Sequence, residues 1–229
     1  MSRSACLDRF RDSAPLVLPS MLLCDFGNLH REVRLLEEAG VEGLHLDVMD
    51  GHFVPNLTYG MTIVRAVRRL TDLPLDVHLM ISNPADYLTS FREAGADVIT
   101  IHAETVADPR PLLREIRQLD AVSGLAIDIL TPISRITDYL DDCDLVLAMS
   151  VATGFGGQEF DRGALDKMRS LRETGGNDLL LQVDGGVNRT TVTSCAEAGA
   201  DLLVVGSAIF RQSDYGSAVD ELQTLARTV

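Results

Sequence analysis

The chain has 229 residues, enough for one large domain or two small ones, and its 46% hydrophobic and 24% charged composition excludes a disordered protein. With 20 basic and 34 acidic residues the formal charge is −14, which argues against nucleic acid and anionic membranes as partners. An anionic ligand would have to be held locally, by backbone N–H groups or a metal ion, and the single Lys167 leaves little room for lysine chemistry.

Residues 1–14 mix both charge signs around no apolar core, so they are expected to form a short extension rather than a signal peptide. A single domain over residues 15–229 is expected to follow. Its predicted strands are Leu16–Pro19, Gly43–Asp47, Leu75–Met80, Val98–His102, Gly124–Ile127, Leu145–Ser150, Leu179–Asp184 and Leu202–Gly206. Helix-like stretches lie between and after them, near 28–39, 60–70, 84–94, 109–119, 133–140, 163–173, 189–198 and 214–227. This alternation argues for parallel βαβ units. Glu38-Ala39-Gly40, Glu93-Ala94-Gly95 and Glu197-Ala198-Gly199 each end a helical pattern, where glycine suits a left-handed cap. Eight such units predict an α/β chain folded as a (β/α)8 TIM barrel. A doubly wound sheet would carry its glycine-rich turn after the first strand. Ser20-Met21-Leu22-Leu23-Cys24-Asp25 stands there instead. The four cysteines, Cys6, Cys24, Cys143 and Cys195, form no C-x-x-C pair and read as reduced thiols of a cytoplasmic protein. No apolar run reaches the ~18 residues of a membrane span.

Barrel chemistry sits at the C-terminal ends of the strands. In the second strand Leu44, Leu46 and Val48 share one face, and His45, Asp47 and Met49 the other. In the third, Leu75, Val77 and Leu79 oppose Asp76, His78 and Met80. The aliphatic faces suit the helix-covered outside, so the ionisable set points inward. Burying such groups is costly unless they pair or bind a metal. With Asp184 at the end of the seventh strand, His45, Asp47 and His78 make a four-ligand site for a divalent ion.

Glycines gather after the last three strands: Gly154-Phe155-Gly156-Gly157, Gly185-Gly186, and Gly206 before Ser207. Such turns bring backbone N–H groups close to an anion and point to a phosphorylated small molecule. No basic cluster accompanies them. A bulky residue at Gly186 is expected to fill the space of the anion. Met49, Met80 and Met149 read as core or as a cap on the substrate, and Ser20 as a turn former or a substrate contact. His52 reads as a loop residue, His102 as a mouth residue without an assigned role, and Asp141, Asp142 and Asp144 as a solvated charge run.

The run His45-Leu46-Asp47-Val48-Met49-Asp50-Gly51-His52-Phe53-Val54-Pro55-Asn56 resembles the signature of the ribulose-phosphate 3-epimerase family. Leu75-Asp76-Val77-His78-Leu79-Met80, Gly154-Phe155-Gly156-Gly157-Gln158 and Val183-Asp184-Gly185-Gly186-Val187 resemble it as well, in family order, between Leu18 and Phe210. The resemblance implies an isomerase interconverting D-ribulose 5-phosphate and D-xylulose 5-phosphate in the pentose phosphate pathway. It implies one divalent metal ion (Zn2+, or Fe2+, Mn2+ or Co2+) on His45, Asp47, His78 and Asp184. Asp47 and Asp184 would be the acid/base pair, and Ser20, His78, Asp184 and the three glycine turns the substrate contacts. A cytoplasmic homo-oligomer is expected. Ala152-Thr153, Asp128-Ile129-Leu130 and Leu22-Leu23-Cys24 depart from the family pattern and bear on the loops and on the sugar accepted. An epimerase of a six-carbon ketose such as allulose 6-phosphate, and a barrel that binds a sugar phosphate without catalysis, stand as alternatives.

Overall fold

A computed structural model describes residues 1–228. Eight strands form one sheet: β1 (Leu16–Pro19), β2 (Leu44–Met49), β3 (Leu75–Met80), β4 (Val98–His102), β5 (Val122–Ile127), β6 (Leu145–Met149), β7 (Leu180–Asp184) and β8 (Leu202–Val205). All neighbours pair in parallel in the order β1-β8-β7-β6-β5-β4-β3-β2. A parallel bridge from Ser20 to His45 joins the two ends, so the sheet closes into the expected TIM barrel. Closure removes the sheet edges and brings the C-terminal ends of all eight strands around one mouth.

The helices are α1 (Arg3–Ser13), α2 (Leu29–Glu38), α3 (Met61–Arg68), α4 (Leu88–Ala94), α5 (Arg110–Gln118), α6 (Gly163–Gly175), α7 (Val192–Glu197), α8 (Ser207–Phe210) and α9 (Tyr215–Ala226). Leu44, Leu46, Val48, Leu75, Val77 and Leu79 pack beneath them, so the aliphatic strand faces do point outward. Gly40, Gly95 and Gly199 carry the left-handed backbone expected at helix ends, with φ of 75°, 116° and 97°. Residues 133–140 are not an α-helix. They form two 3-10 turns, Ile133–Arg135 and Thr137–Asp142. Ile133, Ile136 and Thr137 are β-branched, and Asp141 and Asp142 would oppose the dipole at a helix C-terminus.

The segment ahead of β1 is an ordered helix. Ser2 caps α1 by accepting the Ala5 N–H, and Cys6, Leu7 and Phe10 are buried against Leu16, Leu18, Val98, Val122 and Leu145 in the barrel floor. Gly43 makes room for this plug, since a Cβ there would lie 3.2 Å from the Phe10 ring and 3.0 Å from Leu18. Asp144 also departs from the sequence reading. It is buried at the floor, accepting from Arg3 and Arg117, and is no part of a solvated run. The four thiols are free and buried, and burial pushes each up to about 12. Among the described residues no helix is long and apolar enough to cross a membrane.

Candidate active site

Parallel pairing sets Asp47 of β2 beside His78 of β3, and both point into the barrel. His45 lies two residues back on the same face, and Asp184 ends β7 across the mouth. One ligand atom from each of His45, Asp47, His78 and Asp184 lies within 4.8 Å of every other. The Asp47 Oδ1 is 3.2 Å from both His45 Nε2 and His78 Nδ1, and His78 Nδ1 is 4.0 Å from Asp184 Oδ2.

Around these four lies a ring of supporting groups, few of them singled out in the sequence. Asp76 Oδ2 is 2.7 Å from His45 Nδ1 and also accepts from Gln182 Nε2. Ser20 donates to Asp47 Oδ2 at 2.6 Å and accepts from the Leu22 N–H, so its hydroxyl serves both a turn and the site. The Tyr59 hydroxyl accepts the Asp47 N–H at 3.1 Å. His102, left without a role above, lies behind His78. The signal for Asp76 was its inward face beside His45; nothing local marked Tyr59 or Gln182.

Electrostatics separates the two mouth carboxylates. Burial works against the Asp47 charge, but His45 and His78 outweigh it and hold Asp47 well below the usual carboxylate range. Burial, with the Asp47 charge beside it, pushes Asp184 up to about 7. Burial pushes His78 down to about 4, keeping its imidazole neutral with a lone pair to offer. His45 goes the other way, because Asp47 and Asp76 outweigh its burial. Two carboxylates and two imidazoles with converging ligand atoms fit a divalent transition metal ion or zinc, which would displace the His45 proton and relieve the repulsion between Asp47 and Asp184. The donor set does not identify which metal.

One cleft opens above Asp47 and Asp184. Ser20, Gly154, Phe155, Gly156, Gly157, Gly185, Gly186, Gly206 and Ser207 all line it, as do Met49, Met80 and Met149. The His78 ring is fully buried and faces Asp47. Leu22, Leu23, Val151, Gln158, Val187 and Val204 are further lining residues that sequence reasoning missed. The glycines divide into two kinds. Gly154, Gly157, Gly185 and Gly186 have φ between 65° and 125°, so the backbone itself requires them. A Cβ on Gly186 would strike the Phe160 N at 2.6 Å and the Gln158 O at 2.9 Å. A bulky residue there would therefore wreck the neighbouring turn, rather than simply occupy the space of the anion. Gly206 has φ −102°, and a Cβ there meets nothing nearer than Leu23 at 3.5 Å. Gly206 opens the one-turn α8, the short extra helix that often completes a phosphate site in barrels. Arg211, just after α8, brings Nη2 to 3.4 Å from the Cβ position of Gly157, so one cation does approach the glycine turns.

Lys167 stays out of the cleft. Its ammonium donates to the Asp128, Ile129 and Thr131 carbonyls at 2.7, 3.0 and 2.8 Å and pins the turn after β5. His52 is a loop residue whose N–H donates to Asp50.

Fold and site together define a (β/α)8-barrel enzyme with a candidate metal cluster of two histidines and two aspartates at its mouth. Solved structures share the fold at low sequence identity. The tryptophan synthase alpha-subunit of Pyrococcus furiosus matches with a TM-score of 0.68 and 18% identity, covering 93% of this chain and 97% of that one. A 3-hexulose-6-phosphate synthase matches with a TM-score of 0.67 and 17% identity, covering 92% and 99%. Relatives in sequence are more specific. Residues 16–210 match the ribulose-phosphate 3 epimerase family. The ribulose-phosphate 3-epimerase of Bacillus subtilis is 46% identical over 211 residues, 90% of this chain and 97% of its own. That of Mycobacterium tuberculosis is 42% identical over 215 residues, 93% of each. The chloroplastic ribulose-5-phosphate-3-epimerase of Arabidopsis thaliana is 42% identical over 230 residues, 98% of this chain and 82% of its own. The chain belongs to the ribulose-phosphate 3-epimerase family, a family of isomerases.

Proposed function

We propose that the protein interconverts D-ribulose 5-phosphate and D-xylulose 5-phosphate by moving a proton at carbon 3. The observation that carries this reading is the meeting of Asp47 and Asp184 beneath one cleft whose far side is built from glycine turns. Inverting a carbon beside a ketone needs a proton taken from one face and another returned to the opposite face. Asp47 and Asp184 come from strands on different sides of the mouth and supply one carboxylate for each face. One removes the proton while the other, protonated, delivers; the reverse reaction exchanges the roles. Backbone N–H groups at Gly156, Gly157, Gly185, Gly186, Gly206 and Ser207 hold the phosphate and so fix carbon 3 relative to both carboxylates. Met49, Met80 and Met149 present an apolar wall that keeps water from the proton-transfer path. A divalent ion held by His45, Asp47, His78 and Asp184 (Zn2+, or Fe2+, Mn2+ or Co2+) would supply Lewis-acid stabilisation of the charge that develops on substrate oxygens.

The reading includes a cytoplasmic homo-oligomer working in the pentose phosphate pathway. Four free thiols support the compartment, and light scattering of the purified protein tests the assembly. The deciding experiment is turnover of ribulose 5-phosphate by metal-loaded protein in deuterated water. Deuterium should enter carbon 3 of both sugar phosphate pools. No turnover, or turnover with carbon 3 free of deuterium, overturns the reading. A higher kcat/KM on allulose 6-phosphate moves the substrate to the six-carbon series and leaves the chemistry standing.

A further inference from the structure

His78 offers its Nδ1 to the ligand cluster, and its other nitrogen is equally engaged. His78 Nε2 lies 2.8 Å from His102 Nε2, His102 Nδ1 lies 3.0 Å from Glu104 Oε2, and Glu104 Oε1 accepts the Asp128 N–H at 2.9 Å. His102 is fully buried, its ring 4.9 Å from that of His78 and 4.8 Å from that of Phe53. A neutral imidazole carries one proton, and the row has a carboxylate at each end: Glu104 beyond His102, and Asp47, whose Oδ1 is 3.2 Å from His78 Nδ1. Glu104 is a carboxylate and only accepts. With an ion on the four residues taking the lone pair of His78 Nδ1, His102 carries its proton on Nδ1, which leaves His102 Nε2 as an acceptor. His78 must in turn carry its proton on Nε2, and its Nδ1 lone pair is left facing Asp47 and Asp184.

We propose that His102 and Glu104 are positioning residues that set the tautomer of His78, so that its Nδ1 is free to bind the metal ion. The inference rests on the reading of His45, Asp47, His78 and Asp184 as metal ligands. His45 has the shorter version of the same device, with Asp76 against its Nδ1 and its Nε2 turned toward the cluster. Partners behind a ligand histidine of this kind fix its tautomer and ring orientation. The row also ties the cluster to the turn after β5, because the second oxygen of Glu104 is committed to Asp128.

Glu104→Gln exposes the dependence. The carboxamide has one oxygen for two N–H groups, those of His102 and Asp128. When its NH2 faces His102, the row reverses and the proton of His78 moves onto Nδ1, where the metal would bind. Two measurements on the full-length chain test this. In the zinc-loaded wild type with 15N-labelled histidine, long-range proton–nitrogen spectra should show His78 protonated at Nε2 and His102 at Nδ1. Competition with a chromophoric chelator should show zinc held roughly 10–100-fold more weakly by Glu104→Gln, while the metal-free variant melts close to the wild type. Asp128→Ala loosens the same turn but keeps its N–H, and should bind zinc like the wild type. A wild-type spectrum with His78 protonated at Nδ1 overturns the inference, and does so even if the variant fails to fold. So does equal zinc affinity in Glu104→Gln. A wild type that takes up no zinc overturns the metal reading itself, a result distinguishable from either of these.

Discussion

The two ends of the barrel use the same side chain for opposite purposes. At the floor, Asp97, Asp144 and Asp201 each sit just ahead of an even-numbered strand. Each accepts an N–H near the start of the preceding strand, from Leu75, Ser123 and Leu181 at 3.1, 2.9 and 2.8 Å. Each is also bound by arginine: Arg68 and Arg92 for Asp97, Arg3 and Arg117 for Asp144, Arg172 for Asp201. At the mouth, Asp47, Asp76 and Asp184 face imidazoles and one another, and among the described residues no arginine pairs with them. Guanidinium holds a carboxylate in a fixed geometry and does structural work. Burial beside the Asp47 charge instead pushes Asp184 up to about 7, so that it can exchange a proton near neutral pH. The buried atoms without a hydrogen-bond partner, Asp76 Oδ1, Thr100 Oγ1 and Gln182 Oε1, lie on β3, β4 and β7.

Substitutions at the two ends should therefore separate rate from stability. The largest effect is expected at the mouth: Asp47→Asn and Asp184→Asn should each lower kcat by roughly 10²–10⁴-fold, read in an epimerase assay. Metal-free Asp184→Asn should unfold at a urea concentration no lower than that of the wild type, because burial and Asp47 disfavour the Asp184 charge. Losing the floor plug should do the reverse. Phe10 is fully buried, and Phe10→Ala should cost about 3–5 kcal/mol in urea unfolding while kcat stays within twofold.

Asp144→Ala refines the comparison. Its partners Arg3 and Arg117 are 34% and 28% exposed, so solvent meets part of the loss, and the cost should be about 1–3 kcal/mol. Burial raises the Asp144 pKa, but the Arg3 hydrogen bond, the Ser123 N–H and Arg117 outweigh it, leaving the group below its ordinary value of 3.8. The stabilisation is therefore fully present above that value and is lost as pH falls below about 4. Urea unfolding of wild type and variant at several pH values should converge in that range. The smallest effect sits in the phosphate cradle. A methyl at Gly206 fits the fold, so Gly206→Ala should leave stability unchanged. It should raise KM by about tenfold, the worth of one charge-assisted hydrogen bond. An unchanged KM would remove Gly206 from the phosphate site.

Much of the mouth was legible because its signals are local. Alternation along β2 and β3 put His45, Asp47 and His78 on one face, and the glycine turns stood directly after β6, β7 and β8. The floor was less legible. The Ala-Gly-Ala-Asp stretches at Ala94–Asp97 and Ala198–Asp201 look like plain helix-to-strand connections, and only their arginine partners on other elements give Asp97 and Asp201 a role.

The sequence by itself determined the eight strands, the barrel and the four inward residues of the candidate metal cluster, because strand period, residue type and order along the chain are properties of neighbouring residues. Tertiary structure alone decided which residues support that cluster. His102 and Glu104 reach His78 only because β4 lies against β3, and Gln182 reaches Asp76 only across the barrel interior. The same holds for α1, whose polar surface concealed three buried residues, and for Asp144, whose acidic neighbours suggested solvent. Register and closure bring together side chains far apart in the chain, and no local pattern records those pairings.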